Sequence, residues 1–190
     1  MSDVLHDAAK EAAHARRRFL RRVDAFDKSV DGMFDHIRGN PVADRVFYTV
    51  LAFGDMSILW HLVGAGRAAL DPDRLGEAVR LSATLGVESI LVNQGVKRLF
   101  KRGRPVFEGT RPHRLRTPST TSFPSGHVSV AFCAAAILSG RDPCRAPLWY
   151  GLAATVALSR PYVRIHHASD MVGGAVIGYA VGRVARALVG

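Results

Sequence analysis

Apolar residues recur along this chain at helical spacing and nowhere alternate with period two, so the pattern predicts an all-α protein. In the first 45 residues Phe19, Val23, Phe26, Val30, Met33 and Ile37 follow at intervals of three or four, on one face of a helix. Arg16, Arg17, Arg18, Arg21 and Arg22 crowd its beginning, and Gly39-Asn40-Pro41 marks its end. Such a helix either lies on an anionic bilayer or packs on the rest of the domain or a second copy; the pattern favours neither. Apolar segments follow at 46–66, 81–96, 126–139, 146–159 and 171–189. Only the first and last reach the roughly 17–25 residues expected of a spanning helix. Asp55, His61, Glu88, Asn93 and Gln94 interrupt the first two, and polar groups at membrane depth face a bundle interior or an aqueous cavity. A soluble helical core tolerates short segments too, so hydropathy leaves open both a soluble domain and a membrane-embedded bundle of about five spans.

The chain therefore divides into a basic, amphipathic N-terminal segment, 1–45, and a main helical domain, 46–190. Its 190 residues are enough for one sizeable core. A net charge of +10 points to an anionic partner: phosphate, an acidic membrane surface or nucleic acid. The two cysteines, Cys133 and Cys144, fit no ligand spacing and are expected to form neither a disulfide nor a metal site. No secretory signal is expected, since the first long apolar stretch starts near Val46.

Three blocks change the picture from packing to chemistry. Residues 97–116 hold Lys97, Arg98, Lys101, Arg102, Arg104, Arg111, Arg114 and Arg116 against Glu108 alone. Lys97, Lys101 and Arg104 share one face if a helix continues to residue 104 and stops at Pro105. A guanidinium fork matches phosphate oxygens, so Lys97 and Arg104 read as phosphate ligands. The remaining arginines read as a solvated basic loop. In the second block, Pro124-Ser125-Gly126-His127 opens an apolar segment. Its free N–H groups, the Ser125 hydroxyl and the close approach allowed by Gly126 suit an anion. His127 beside that anion can protonate a departing oxygen. In the third, Ser159-Arg160 ends one segment, and His166 and Asp170 begin the next. A carboxylate four residues beyond an imidazole can accept its Nδ1–H and leave Nε2 as an attacking lone pair. His167 is one residue out of register and reads as a bystander. His61 and His113 read as structural or exposed.

With these residues in place, the chain resembles the type 2 phosphatidic acid phosphatase superfamily, which includes bacterial acid phosphatases and vanadium haloperoxidases. The family signature is Lys-x6-Arg-Pro, Pro-Ser-Gly-His and Ser-Arg-x5-His-x3-Asp; 97–105, 124–127 and 159–170 fill every fixed position. The resemblance spans 97–170 directly and the helices from about 46 to 189 by implication, leaving the first 45 residues uncovered. It implies a membrane helical bundle with the site where three helices end at one membrane face. It also implies His166 as a nucleophile forming a phosphohistidine, Asp170 orienting it, and His127 as acid and then base. Lys97, Arg104, Ser125, Gly126 and Arg160 would hold the phosphoryl oxygens, with no metal or other cofactor.

The implied partners are a membrane and a lipid phosphate, with homo-oligomers open and no nucleic acid. A short member with a cytoplasm-facing site resembles the decaprenylphosphoryl-phosphoribose phosphatases of cell-wall synthesis. Phosphatidate, phosphatidylglycerophosphate and polyprenyl diphosphate stay open as substrates. With five spans, the N-terminal segment and all three blocks share one side, which carries nineteen Lys and Arg against seven on the other. Removing Lys97, Arg104 and Arg160 leaves sixteen, so the positive-inside rule predicts a cytoplasmic site in a multi-pass cell-membrane protein. The rivals are a vanadate-dependent haloperoxidase, whose relatives are larger and soluble, and a non-catalytic basic protein that binds membranes or nucleic acid. Basic charge alone does not require two histidines and an aspartate in fixed register.

Overall fold

The computed structural model describes residues 2–54, 57–107 and 120–189. Asp55, Glu108, Arg111, His113, Arg114 and Arg116 lie outside them. Seven helices are described: α1 (Ser2–Asp35), α2 (Pro41–Gly54), α3 (Ile58–Leu70), α4 (Leu75–Ile90), α5 (Gly126–Arg141), α6 (Ala146–Tyr162) and α7 (Ala168–Val189), with no strand among the described residues.

The central helix is α5, whose small side chains Ala131, Cys133, Ala134, Ala135 and Ala136 are completely buried. Such a surface lets a second backbone come close, and α7 supplies the match. Gly174, Gly178 and Gly182 recur every fourth residue along α7, and a Cβ on them would sit 2.6, 1.9 and 2.7 Å from the carbonyl oxygens of Ser125, Ser129 and Cys133. The same seam brings the two helix starts together, where the Ser125 N–H donates to the Asp170 carbonyl at 3.0 Å. Trp60, Leu81, Leu85, Trp149, Ala153 and Val156 from α3, α4 and α6 complete the core around α5. The bundle has two ends. One gathers the starts of α5 and α7 with the end of α6. At the other, Arg67 pairs with Glu77 at 3.5 Å and with Asp142 at 3.6 Å.

Three expectations need correction. The segment 46–66 is not one helix: α2 and α3 are inclined at 72°, and Ser57, before α3, has a left-handed φ of 62°. The helix begins earlier than the apolar run, because the Asn40 carbonyl oxygen of the side chain caps α2, accepting from the Val42 and Ala43 N–H groups at 2.9 and 3.2 Å. The helix expected through residue 104 does not form either. After α4 the winding loosens into a π turn (Leu91–Gly95), tightens into a 3₁₀ turn (Val96–Leu99) and ends in extended backbone at Phe100. That change of pitch turns Lys97 inward and leaves Lys101 exposed. Arg104 arrives from a non-helical loop.

Helix α1 also differs in its facing. Phe34 is buried and Val30 packs beside it, but Phe19, Phe26 and Met33 are 65%, 46% and 69% exposed. The inward face is rotated toward Asp27 and Phe34, because Phe34, Phe47 and Tyr162 form an aromatic cluster and Asp27 has polar partners.

Residues Ala168–Leu188 of α7 form a helix long and apolar enough to cross a membrane, with only 17% of that stretch buried; α2 and α3 qualify only as one bent span. Large apolar side chains also stand exposed on the other helices, among them Phe53, Leu62, Val79, Val87, Ile90 and Leu148. Exposed large apolar side chains in this number suit contact with lipid.

Candidate active site

Both histidines of the three sequence blocks reach one cavity of about 260 Å³ at the site end, lined by Lys97, Arg104, Gly126, His127 and His166 together with Ser57, Ser89, Asn93, Thr120 and Val130. Ser125 and Arg160 are fully buried beside it without lining its wall. Asp170 stands behind His166.

Each side chain is placed by its element. His127 lies in the first turn of α5, half-buried, with Gly126 before it. A Cβ on Gly126 would approach the Asn93 Oδ1 to 3.0 Å, so the side chain of Asn93, in the turn after α4, sits tightly against this glycine. His166 sits just before α7 and Asp170 in its first turn, with Nδ1 3.5 Å from Oδ2. Arg104 is fixed by its loop: Nη1 donates to the Ile165 carbonyl at 2.7 Å and Nε to the Thr120 carbonyl at 3.1 Å. Lys97 Nζ donates to Thr120 Oγ1 at 3.2 Å.

The imidazole's orientation follows from its neighbours. Arg104 Nη1 lies 3.2 Å from His166 Nε2. A guanidinium has only donors, so this contact requires a lone pair on Nε2. On the other edge, Ser122 Oγ spends its one proton on Asp170 Oδ2 at 2.5 Å, so toward His166 Nδ1, 3.4 Å away, it can only accept. The proton is therefore on Nδ1, and the Nε2 lone pair is the one that meets Arg104. Burial, with Arg104 and His127 nearby, pushes the His166 imidazole down to about 4 against the opposing pull of Asp170. The ring is neutral at physiological pH, the form a nucleophile needs. Burial and the neighbouring Arg104 likewise push the Lys97 ammonium down to about 8.

Two functional residues were missed in the sequence. Ser122 is completely buried and holds Asp170. Arg102, expected in a solvated loop, instead donates from Nη1 to Asp170 Oδ1 at 2.8 Å. Arg102 had no distinguishing signal, standing one cation among eight. Ser122 could have been suspected from its place two residues before Pro124. His167 contributes its backbone, donating its N–H to Asp170 Oδ2 at 2.8 Å and accepting from the Asp170 N–H at 3.1 Å. His61 bonds to Ser82 Oγ at 2.9 Å between α3 and α4.

Residues 77–190 match the family model described as the PAP2 superfamily. Over 132 residues, 70% of this chain and 72% of the relative, the sequence is 33% identical to decaprenylphosphoryl-5-phosphoribose phosphatase of Mycobacterium tuberculosis. The fold is similar to that of a transmembrane PAP2-type phosphatidylglycerolphosphate phosphatase from Bacillus subtilis, with TM-score 0.68, 23% identity and coverage of 88% of this chain and 86% of that one. It is also similar to LpxE of Aquifex aeolicus, with TM-score 0.63, 25% identity and coverage of 81% and 92%.

Proposed function

This chain belongs to the PAP2 superfamily, and we propose on that premise that it is a multi-pass membrane phosphatase acting on a lipid-linked phosphomonoester through a phosphohistidine. The single observation that carries the reading is the Nε2 lone pair of a neutral, buried His166 held 3.2 Å from the Arg104 guanidinium. In the first step Nε2 forms a bond to phosphorus as the bond to the ester oxygen breaks. His127 gives its proton to that oxygen, and Asp170 offsets the charge growing on the His166 ring. In the second step His127 takes a proton from water, water oxygen bonds to phosphorus, and the P–N bond breaks to release inorganic phosphate. Lys97, Arg104 and Gly126 hold the equatorial oxygens from the cavity wall, and Arg160 and Ser125, buried beside it, complete the cage, the Ser125 hydroxyl having no hydrogen-bond partner among the described residues. Such preorganised charge is the natural remedy for one of the slowest uncatalysed reactions known.

The lipid character of the substrate rests on the cavity's flank. Ser57, Ser89 and Asn93 line one wall, and the adjoining Ile58, Ile90 and Leu91 are exposed. A phosphate in the cavity would leave its tail along these side chains. A polyprenyl-phosphate-linked phosphoribose is the substrate we favour, by similarity to the mycobacterial relative. In detergent with chelator present, the purified protein should release phosphate from this lipid faster than from phosphatidate, phosphatidylglycerophosphate or polyprenyl diphosphate, and vanadate should inhibit it. Because Lys97 loses its proton near pH 8, KM should rise above that pH in the wild type, and Lys97→Arg should move the rise to higher pH. No phosphate from any of the four lipids would end the functional reading.

We place the site on the cytoplasmic side, with the outer face of α1 against the anionic lipid surface, on the charge distribution above. Cys144 lies at the end remote from the site and is exposed, whereas Cys133 is buried. In intact cells an impermeant maleimide should therefore label the protein at Cys144. Labelling only after permeabilisation reverses the orientation.

A further inference from the structure

Outside the region matched by the family model, α1 carries Asp27, Asp31 and Asp35 at four-residue intervals, an acidic stripe beside its apolar one. Asp27 is 7% exposed. Its Oδ1 accepts from the Ser169 N–H at 2.7 Å, and its Oδ2 accepts from Ser169 Oγ at 2.8 Å and Arg102 Nη2 at 2.5 Å. The other guanidinium nitrogen of Arg102 donates to Ser169 Oγ at 2.6 Å and to Asp170 Oδ1 at 2.8 Å. One planar cation thus ties a carboxylate of α1 to the carboxylate behind His166. Four and eight residues on, the stripe holds the connection between α6 and α7. Arg164, at a left-handed φ of 53°, donates to Asp31 at 3.2 Å and Asp35 at 2.7 Å. Arg38, which pairs with the same two carboxylates, donates to the carbonyls of Tyr162 at 2.9 Å and Pro161 at 2.7 Å.

We infer that α1 is part of the catalytic apparatus, with Asp27 a positioning residue that acts through Arg102 and Ser169 on Asp170 and so on the alignment of His166. The physical reason lies in Asp170 itself. Its carboxylate can pivot about two side-chain bonds, and of its two oxygens only Oδ2 faces the imidazole. Arg102 anchors Oδ1, and an arginine reaching from a non-helical loop needs its far nitrogens held as well. Asp27 does that. Asp27 bonds to Arg102 and Ser169, neither of them assigned to the phosphate cage, so the effect falls on chemistry and not on phosphate binding.

This inference rests on His166 being the nucleophile, and the experiment separates the two. Asp27→Ala, Asp27→Asn, Arg102→Ala and the Asp27→Ala/Arg102→Ala double variant are compared with wild type and with Asp7→Asn, an exposed position on the same helix. For Asp27→Ala, kcat should fall about 10- to 100-fold with KM and the vanadate inhibition constant within about twofold of wild type. Asp27→Asn keeps an acceptor for the Ser169 N–H but loses the ion pair, so its loss should be intermediate. The double variant should be no slower than the slower single, because both act through one chain of contacts. An unchanged kcat, a loss carried by KM and vanadate binding together, or multiplying losses in the double variant would overturn the inference. Should Asp27→Ala fail to fold, Asp27→Asn with Arg102→Ala decides by the same criteria. Full activity in His166→Ala would sink the nucleophile assignment, whereas inactive His166→Ala beside unaffected Asp27 variants sinks only the role of α1.

Discussion

His166→Ala should lower kcat by at least about 10⁴-fold, the scale on which losing a covalent nucleophile acts in other hydrolases. The expectation rests on geometry. Nε2 is the imidazole atom that meets the cavity, its lone pair is fixed by a donor-only neighbour, and burial keeps the ring unprotonated. Alanine removes the attacking atom and leaves Lys97, Arg104, Ser125 and Arg160 in place. Vanadate should still bind, because the cations that hold it are untouched. A quench during turnover of wild type with labelled substrate should trap a protein-bound phosphate that is labile in acid and stable in alkali. The alanine variant should trap none. Turnover within a few-fold of wild type, or an unchanged trapped label, would falsify the assignment.

His127→Ala should slow turnover by about 10²- to 10⁴-fold, the usual contribution of a positioned general acid. His127 and His166 line the same cavity, one in the first turn of α5 and the other just before α7. That arrangement would put the proton donor on α5 and the nucleophile in the turn before α7, on two sides of one bound phosphorus. An acid is needed most when the leaving group is a poor one, as a sugar or lipid alcohol is. An aryl phosphate, whose phenolate departs without help, should therefore retain far more of its rate in this variant. Equal losses on alkyl and aryl substrates would remove His127 from the role. Slowed dephosphorylation should also let the trapped phosphoenzyme accumulate on the aryl substrate, since the same imidazole activates water in the second step.

Much of the site was legible in the chain because its chemistry is arranged locally. His166 and Asp170 are four residues apart, across the start of α7, and Gly126-His127 begin α5. Spacing of that kind survives into any helical fold. The seam of Gly174, Gly178 and Gly182 was equally present in the sequence as a four-residue repeat, though an apolar run conceals it among larger neighbours. Arg104 lines the cavity, but not from the helical face that its spacing from Lys97 predicts. It reaches the cavity from an extended loop, since the π and 3₁₀ turns after α4 end the helix before residue 100. Asn93, expected only to interrupt an apolar span, lines the cavity and packs closely against Gly126.

By itself the sequence determined the helical class and picked out the candidate reacting groups, because helix periodicity and the spacing of the three motif blocks are short-range properties of the chain. Only the tertiary structure decided how those groups are held. Arg102 meets Asp170 across 68 residues, and Asp27 meets Ser169 across 142. Contacts at such separations depend on how helices pack, which here means the close glycine seam between α5 and α7 and the aromatic docking of α1. Charge and hydropathy along the chain do not distinguish a solvated arginine from one locked between two carboxylates. The desolvation that turns His166 neutral is a consequence of packing in the same way.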